Sequence, residues 1–335
     1  SVPAAAAGSG SASASASASG SAPAPAPLST LARAPGNCGA VALDDTYAYW
    51  IGSDGVNRVP RRGGGPVVTL VPAPANRDSD DCGFLAVDGS DVVWTFAESG
   101  GGARPTLWRA PKSGLPGATP VAVVQAPIAC LAATDDAVVF LQLRPDGVWA
   151  AGGTVRRAPT SGGPSALIAT VPTPSFGCVA ADAERVYVAT FDEHSATGDG
   201  AIRSFARNGG GARTVTRVVA FPLWLKVGGD ALYWIEADSL MSAPRAGGRP
   251  TKIVTAAGPC GGIEDYAVDD AGVYFTCGDS IWRVDRHGGA AAVRVVEGQR
   301  GAQGLAVDAD ALYWLNGDPS FRGRNDGALM RLAKR

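Results

Sequence analysis

Few side chains in this 335-residue sequence are arranged for chemistry. Asp192 and His194 belong to the one acidic cluster beside a histidine, and a histidine next to a carboxylate can act as a general base. The only other histidine is His287, and the sequence has no nucleophile elbow, HExxH zinc motif or phosphate-binding loop. We therefore interpret the cluster as a solvated loop, and we predict no catalytic residue and no cofactor.

Metal-binding patterns are also incomplete. Aspartates recur in equivalent turns, but none of these segments has the full calcium-loop pattern with its distal glutamate. The six cysteines contain no CxxC pair, and two histidines do not complete a zinc site. We predict that no metal is bound and that the turn aspartates make local hydrogen bonds. These aspartates are Asp44, Asp88, Asp182, Asp269 and Asp308.

The composition excludes several classes of protein. A formal net charge of −2 argues against a nucleic-acid-binding protein, and no apolar run approaches the ~18 residues of a membrane-spanning helix. The 45 glycines and 24 prolines would interrupt the helices of a bundle. Of the first 27 residues, 26 are Ala, Ser, Pro or Gly, so we expect residues 1–27 to be a disordered linker.

The rest of the chain contains a sevenfold repeat. Each unit has an apolar strand, an Asp- or Gly-rich turn and a second strand that ends in an aromatic pair or a substitute. The segments are VALDDTYAYW (41–50), LAVDGSDVVW (85–94), LAATDDAVVF (131–140), VAADAERVYV (179–188), LKVGGDALYW (225–234), YAVDDAGVYF (266–275) and LAVDADALYW (305–314). A third strand such as VNRVP (56–60), a Gly-rich turn and a fourth strand such as PVVTLV (66–71) follow.

Four short antiparallel strands at this spacing are typical of a β-propeller blade. The sequence therefore predicts an all-β fold, a seven-bladed β-propeller of four-stranded antiparallel blades. The units lie near 36–74, 81–127, 128–174, 175–220, 221–258, 260–299 and 300–335 plus 28–35. The last unit stops after its third strand, and PLSTLARAP (27–35) has the pattern of the fourth strand PVVTLVPAP (66–74). We expect this N-terminal strand to complete the last blade and close the ring.

The repeated residues are expected to build the blades. A tryptophan recurs at Trp50, Trp94, Trp234 and Trp314, where a large ring suits packing between blades. Arginines recur in the third strands, and we expect them to form salt bridges or to stack on neighbouring rings. They are Arg58, Arg109, Arg157, Arg283 and Arg331.

The Asp…Tyr-Trp strand pair, followed by an apolar-X-Arg strand and a Gly-Gly turn, resembles YWTD and NHL-type propeller repeats. Residues 28–335 are most similar to the propeller domains of predicted bacterial lipoproteins and secreted proteins of unknown function. YWTD propellers usually have six blades, whereas seven units are present here. The resemblance implies the fold, and the Ala/Ser/Pro-rich segment before it is typical of bacterial lipoproteins with a lipid anchor upstream of residue 1.

The cysteine positions predict one disulfide and leave others open. Cys260 precedes a first strand and Cys277 follows the antiparallel second strand, so both lie at the same end of one sheet and could form a bridge. The other four begin the first strands of consecutive units. They could pair as Cys38–Cys82 and Cys130–Cys178, or as Cys82–Cys130, or stay free and buried. Disulfides would place the protein outside the cytoplasm.

One face of the ring is the expected place for a binding site. The loops from second to third strands and from each fourth strand to the next first strand share this face and vary in length, and such loops commonly carry binding residues. Trp149 and Trp224 are candidate aromatic anchors, although Trp224 could equally pack within its own strand. The candidate residues are Asp80, Asp81, Trp149, Asp192, His194, Trp224, Glu264, Asp265, Arg300 and Arg322.

We predict an exported, extracytoplasmic, monomeric and non-enzymatic scaffold that binds a protein or a small-molecule ligand, with no nucleic-acid partner and no transmembrane segment. One alternative is a lactonase- or lyase-like propeller enzyme acting on a small molecule or sugar, which needs a set of carboxylates or a His–Glu pair at the channel. The second alternative is a structural envelope component, which would show neither a concave polar pocket nor an exposed aromatic patch.

Overall fold

The computed structural model describes residues 27–35, 40–73, 83–96, 106–113, 119–123, 128–143, 152–172, 174–191, 200–256, 261–317 and 327–334. These residues form 28 β-strands in seven four-stranded antiparallel sheets, with no helix among them. The sheets are the blades of a seven-bladed β-propeller, which confirms the predicted fold. In six blades the strands pair in chain order, from the inner strand at the central channel to the outer strand.

Blades 1 to 3 each contain four strands in chain order. Blade 1 contains β2 (Val41–Leu43), β3 (Tyr47–Gly52), β4 (Gly55–Pro60) and β5 (Val68–Pro72). Blade 2 contains β6 (Leu85–Val87), β7 (Asp91–Phe96), β8 (Thr106–Pro111) and β9 (Thr119–Val123). Blade 3 contains β10 (Ile128–Thr134), β11 (Ala137–Leu143), β12 (Gly153–Pro159) and β13 (Ala166–Val171).

Blades 4 to 7 continue the same arrangement. Blade 4 contains β14 (Pro174–Ala181), β15 (Arg185–Phe191), β16 (Gly200–Ala206) and β17 (Arg213–Val218). Blade 5 contains β18 (Pro222–Gly228), β19 (Ala231–Glu236), β20 (Ser239–Pro244) and β21 (Thr251–Thr255). Blade 6 contains β22 (Ile263–Asp269), β23 (Gly272–Cys277), β24 (Ser280–Val284) and β25 (Val293–Val296). Blade 7 contains β26 (Gln303–Val307), β27 (Ala311–Asn316), β28 (Ala328–Ala333) and, outermost, β1 (Leu28–Arg33).

The two ends of the chain close the ring, as predicted. β1 pairs antiparallel with β28, from Leu28 opposite Leu332 to Arg33 opposite Ala328. Ala32 and Ala34 are buried in a core cluster that also contains residues of blades 1 and 7. The N-terminal strand therefore covers what would otherwise be an open sheet edge.

The repeated second-strand aromatic residue packs each blade against the one before it. Trp50, Trp94, Trp234 and Trp314 are all at most 1% exposed. Trp50 shares a core cluster with Tyr313 of blade 7, and Trp94 shares one with Tyr49 of blade 1. The aromatic residue that recurs in each unit of the sequence therefore marks the contact between neighbouring blades.

The turn aspartates accept hydrogen bonds within the turn between the first and second strands of a blade. Asp44 Oδ1 accepts the N–H groups of Thr46 and Tyr47, both at 2.7 Å, and its Oδ2 accepts the Tyr49 hydroxyl at 2.7 Å. Burial alone would raise the pKa of Asp44, but these three donors and the ammonium of Lys112 outweigh it and lower the pKa. Asp182 and Asp308 repeat the arrangement with Tyr187 and Tyr313.

A ring of ion pairs joins the blades on this turn face. A basic residue follows the third strand in six blades, directly in five of them and after Asp285 in blade 6, and in each case its side chain pairs with a turn aspartate of the preceding blade. The pairs are Arg61–Asp308 at 2.8 Å, Lys112–Asp44 at 3.2 Å, Arg207–Asp136, Arg245–Asp182 at 2.5 Å, Arg286–Asp230 at 2.9 Å and Lys334–Asp269.

The junction between blades 2 and 3 departs from this rule. Thr160 follows the third strand of blade 3, which lacks the basic residue that pairs with the preceding blade in the other six, and Val93 replaces the tyrosine that donates to the aspartate in blades 1, 4 and 7. Asp88 of blade 2 is only 7% exposed, and its Oδ2 has no hydrogen-bond partner among the described residues. Its Oδ1 still accepts the N–H groups of Ser90 and Asp91.

The third-strand arginines stabilise the blades as expected. Arg109 pairs with Asp91 at 2.9 Å and Arg157 pairs with Asp136 at 2.6 Å, both within their own blades. The guanidinium of Arg58 lies 4.3 Å from the centroid of the Tyr47 ring.

Candidate functional site

The inner strands of all seven blades surround a central channel. The channel has a volume of about 690 Å³, which is in the usual range for a small-molecule site. In five blades the inner strand bears an irregularity of register at this level, between Ile128 and Cys130, Pro174 and Val179, Leu223 and Lys226, Ile263 and Tyr266, and Gln303 and Ala306. Such bulges turn side chains away from the regular alternation of a strand, and they are common next to binding sites.

The channel wall is divided into an apolar sector and a polar sector. Blades 1 to 4 contribute apolar and small residues among those described, such as Val41, Phe84, Leu85, Leu131 and Val179. The polar side chains come from consecutive blades on the other side: Lys226 from blade 5, Glu264 and Asp265 from blade 6, and Gln303 from blade 7. A molecule in this channel would therefore contact polar and charged side chains on one side and apolar side chains on the other.

Asp265 joins three blades. Its Oδ1 accepts the N–H of Tyr266 at 2.7 Å and lies 3.0 Å from the ammonium of Lys226, while its Oδ2 accepts the N–H of Leu305 at 2.7 Å. Its backbone N–H donates to the Thr276 hydroxyl at 2.9 Å. Because both carboxylate oxygens are occupied by donors, Asp265 stabilises the wall of the channel and its charge is balanced locally.

Lys226 is held by the same group of residues. Besides its ion pair with Asp265, its ammonium donates to the backbone carbonyl of Tyr266 and lies 4.7 Å from the centroid of the Tyr266 ring. The Tyr266 hydroxyl donates to the carbonyl of Trp224 at 2.5 Å. Burial raises the pKa of Tyr266, and the nearby Asp265 carboxylate raises it further, so this hydroxyl stays protonated and keeps its bond.

Trp224 has an unusual backbone conformation at the channel. Its φ is 55°, in the left-handed region that bulky residues rarely adopt and that costs about 1–3 kcal/mol. The equivalent position in blade 7 is Gly304, with a φ of 64°, since each lies two residues before the partner of the repeated tyrosine. The same backbone conformation is therefore adopted by a glycine in blade 7 and by a half-buried tryptophan in blade 5.

The segment before Trp224 is fixed by a buried carboxylate. Glu236 is 6% exposed, and its Oε1 accepts the N–H groups of Val219 at 2.7 Å and Ala220 at 2.9 Å. Its Oε2 accepts the indole N–H of Trp234 at 2.8 Å. The connection from blade 4 to the inner strand of blade 5 is thus anchored to the end of β19, the strand that pairs with β18.

The structure brings three of the predicted site residues together. Trp224, Glu264 and Asp265 all line the channel, although Asp265 is engaged in the wall. Arg300 is exposed, and its carbonyl accepts the N–H of Gly317 at 3.3 Å. The remaining candidates lie outside the described residues: Asp80, Asp81, Trp149, Asp192, His194 and Arg322.

Sequence reasoning missed Lys226, Gln303 and Glu236. All three lie in or beside strands of ordinary repeat pattern, where a polar residue is expected to face solvent. A usable signal exists only for Lys226, because the chain has few lysines and this one replaces an apolar or small residue of the other inner strands.

One cysteine prediction is wrong. Cys130 is a free, buried cysteine, so it forms neither of the pairings considered for it, with Cys178 or with Cys82. Its inner strand, β10, belongs to a different sheet from β14, which contains Cys178. The Cys130 side chain instead packs in the core cluster shared by blades 3, 4 and 5.

The other cysteine predictions remain predictions. Cys277 is disulfide-bonded, and the proposed Cys260–Cys277 bridge stays a prediction because Cys260 lies outside the described residues. Cys38, Cys82 and Cys260 lie outside the described residues, as does the side chain of Cys178. Across the described ranges, no group of three or more His, Cys, Asp or Glu side chains could hold a metal ion. The same ranges contain no helix that is long and apolar enough to cross a membrane.

No family model matches the chain, and no curated protein sequence does so. Solved structures with the propeller architecture do match it. BamB from Moraxella catarrhalis is 14% identical, with a TM-score of 0.51 over 88% of this chain and 85% of that one. The β-propeller domain of the Trilobed protease from Pyrococcus furiosus is 13% identical, with a TM-score of 0.57 over 92% and 95%.

A third similar structure is much longer than this chain. PorZ, a surface component of the type-IX secretion system of Porphyromonas gingivalis, is 10% identical, with a TM-score of 0.54 over 86% of this chain. The chain spans only 36% of PorZ. Identities this low support the shared fold, and fold alone does not determine function.

Proposed function

We propose that this propeller is a non-enzymatic binding module that takes its ligand at the mouth of the central channel. The observation that carries the proposal is the strained Trp224, which lines the channel at a position where blade 7 uses glycine. Strained backbone conformations cluster at functional sites, where the surrounding structure holds them in place. An aromatic side chain at a channel mouth offers a ligand a large contact surface.

The bonding of the polar groups supports binding over catalysis. Asp265 and Lys226 are occupied by each other and by backbone groups, so their roles are to shape the wall. The described residues that line the channel include two carboxylates, Glu264 and Asp265, and no histidine. Of the two, only Asp265 is engaged by Lys226 and the backbone of the wall. A lactonase- or lyase-like mechanism would need a converging set of such groups.

The proposal extends to the cellular location and the repeat type. We propose an exported, monomeric protein with a YWTD- or NHL-like repeat, held outside the cytoplasm by a lipid anchor or secreted. Support comes from the Ala/Ser/Pro-rich N-terminal segment and from the disulfide-bonded Cys277, since disulfides persist mainly in oxidising compartments. Fractionation of the source cells tests this, and a cytoplasmic pool with reduced Cys277 would contradict it.

A thermal-shift screen tests the channel. A ligand that binds only the folded protein raises the melting temperature as its concentration rises. We expect hits from a library of small molecules and peptides to be lost in Ala132→Trp, which fills the channel, and kept in the control Leu167→Trp on an exposed outer strand. Hits that survive Ala132→Trp would place the ligand elsewhere. Conversion of a hit into product would favour the enzyme alternative.

A further inference from the structure

Among the described residues, the charges of the channel lining do not cancel. The described lining residues carry one positive side chain, Lys226, and two negative ones, Glu264 and Asp265. Lys226 and Asp265 neutralise each other at 3.0 Å, and both have further backbone partners. The charge that remains is that of Glu264, whose side chain is exposed and has no ion pair with any described residue.

Trp224 provides a second group that attracts cations. It lines the same part of the wall, in the inner strand next to that of Glu264. Its carbonyl is fixed to blade 6 by the Tyr266 hydroxyl, and Glu236 fixes the segment before it. An indole face attracts ammonium groups, and the attraction is larger when the cation is partly desolvated, as it would be inside a channel.

The opposite wall has the complementary character. Val41, Phe84, Leu85 and Leu131 present hydrocarbon from blades 1 to 3. A ligand that satisfies both sectors needs one positively charged end and one apolar end. An anion would be repelled by the Glu264 carboxylate, and a neutral apolar molecule would gain no attraction from it.

We propose that the channel binds a small organic cation with an apolar body, such as a substituted ammonium compound. Its charged head lies beside Glu264 and the Trp224 ring, and its apolar body lies against the wall formed by blades 1 to 3. This inference rests on the proposed function, because it assigns a ligand class to the same channel.

Three probes of equal chain length test the ligand class. Octylammonium, octan-1-ol and octanoate carry a positive, a neutral and a negative head on the same apolar tail, and their dissociation constants are measured by titration calorimetry below their micellar concentrations. We expect octylammonium to bind about tenfold more tightly than octan-1-ol, and octanoate to bind most weakly. Glu264→Gln should reduce the preference for octylammonium over octan-1-ol to within about threefold, while octan-1-ol binding stays unchanged.

Two further variants control the result. Trp224→Gly removes the indole ring and introduces a residue that readily adopts a positive φ. It should weaken octylammonium binding about tenfold. Glu184→Gln removes an exposed carboxylate on the opposite face and should leave all three constants unchanged. Equal binding of the three probes, or a full preference for octylammonium in Glu264→Gln, would overturn the cationic class and leave channel binding intact. Failure of all three probes to bind, together with an empty thermal-shift screen, would overturn the proposed function itself.

Discussion

The junction between blades 2 and 3 allows a direct test of how the ring is held together. Six junctions place a basic side chain on an aspartate of the preceding blade, and the seventh has Thr160 opposite Asp88. Thr160→Arg restores the side chain type that four other blades use. We expect this substitution to stabilise the protein, because it gives the buried Oδ2 of Asp88 a charged donor.

The size of the effect follows from the burial of Asp88. A buried acceptor without a partner costs roughly 1–3 kcal/mol, and ordering an arginine side chain costs up to about 2 kcal/mol. We expect a net increase of about 1 kcal/mol in the free energy of unfolding, which corresponds to a rise of about 2 °C in melting temperature for a domain of this size. Urea unfolding and differential scanning calorimetry measure both quantities.

A double-mutant cycle isolates the new contact. Asp88→Asn keeps an acceptor for the N–H groups of Ser90 and Asp91 but removes the charge. The gain from Thr160→Arg should therefore disappear in the Asp88→Asn background. The reverse change, Lys112→Thr at the junction of blades 1 and 2, should cost about 1 kcal/mol. An equal gain from Thr160→Arg with and without the Asp88 carboxylate would refute the reasoning.

Three other outcomes follow from the fold and the channel wall. A chain that begins at Asn37 lacks β1, which forms five register pairs with β28. Its free energy of unfolding should be lower by on the order of 5 kcal/mol than that of a chain that begins at Leu28. Equal melting temperatures of the two chains would contradict the ring closure. Asp265→Asn should cost about 2 kcal/mol, because it removes the charged partner of Lys226, and Glu264→Gln is the matched control with no measurable cost. Burial and the hydrogen bond to Asp182 raise the pKa of Tyr187 to about 12. The stability that this tyrosine contributes is fully present below pH 10 and is lost as the pH rises from 10 to 12, so alkaline unfolding followed by circular dichroism should begin at higher pH in Tyr187→Phe.

The parts of the structure that repeat were predictable from the sequence. The blade period, the buried tryptophans and the closing strand all follow from patterns that recur seven times or at both ends of the chain. The turn aspartates were also predictable, because an Asx turn uses only residues close in sequence. Each of these features has a repeated sequence pattern, whether its contacts are local, as in the turns, or long-range, as between β1 and β28.

The polar contacts that join different blades were not predictable. The sequence indicated that third-strand arginines such as Arg109 form salt bridges, and they do so, but the residue that bridges to the preceding blade is three positions later, as in Lys112. Asp265 was identified as a candidate binding residue, whereas its Oδ2 accepts the N–H of Leu305 in the next blade. The relative tilt of neighbouring sheets decides such contacts, and no pattern within one unit specifies it.

The positions that break the repeat therefore carry the information that is specific to this protein. Thr160 and Val93 together remove two donors from one aspartate, and the ring closes without them because the aromatic contacts between blades remain. Trp224 adopts the backbone conformation that Gly304 adopts in blade 7, and its side chain both packs against the core cluster of blades 5 and 6 and lines the channel. A residue that is costly for the fold and that faces a channel is better explained by what enters the channel than by the scaffold that surrounds it.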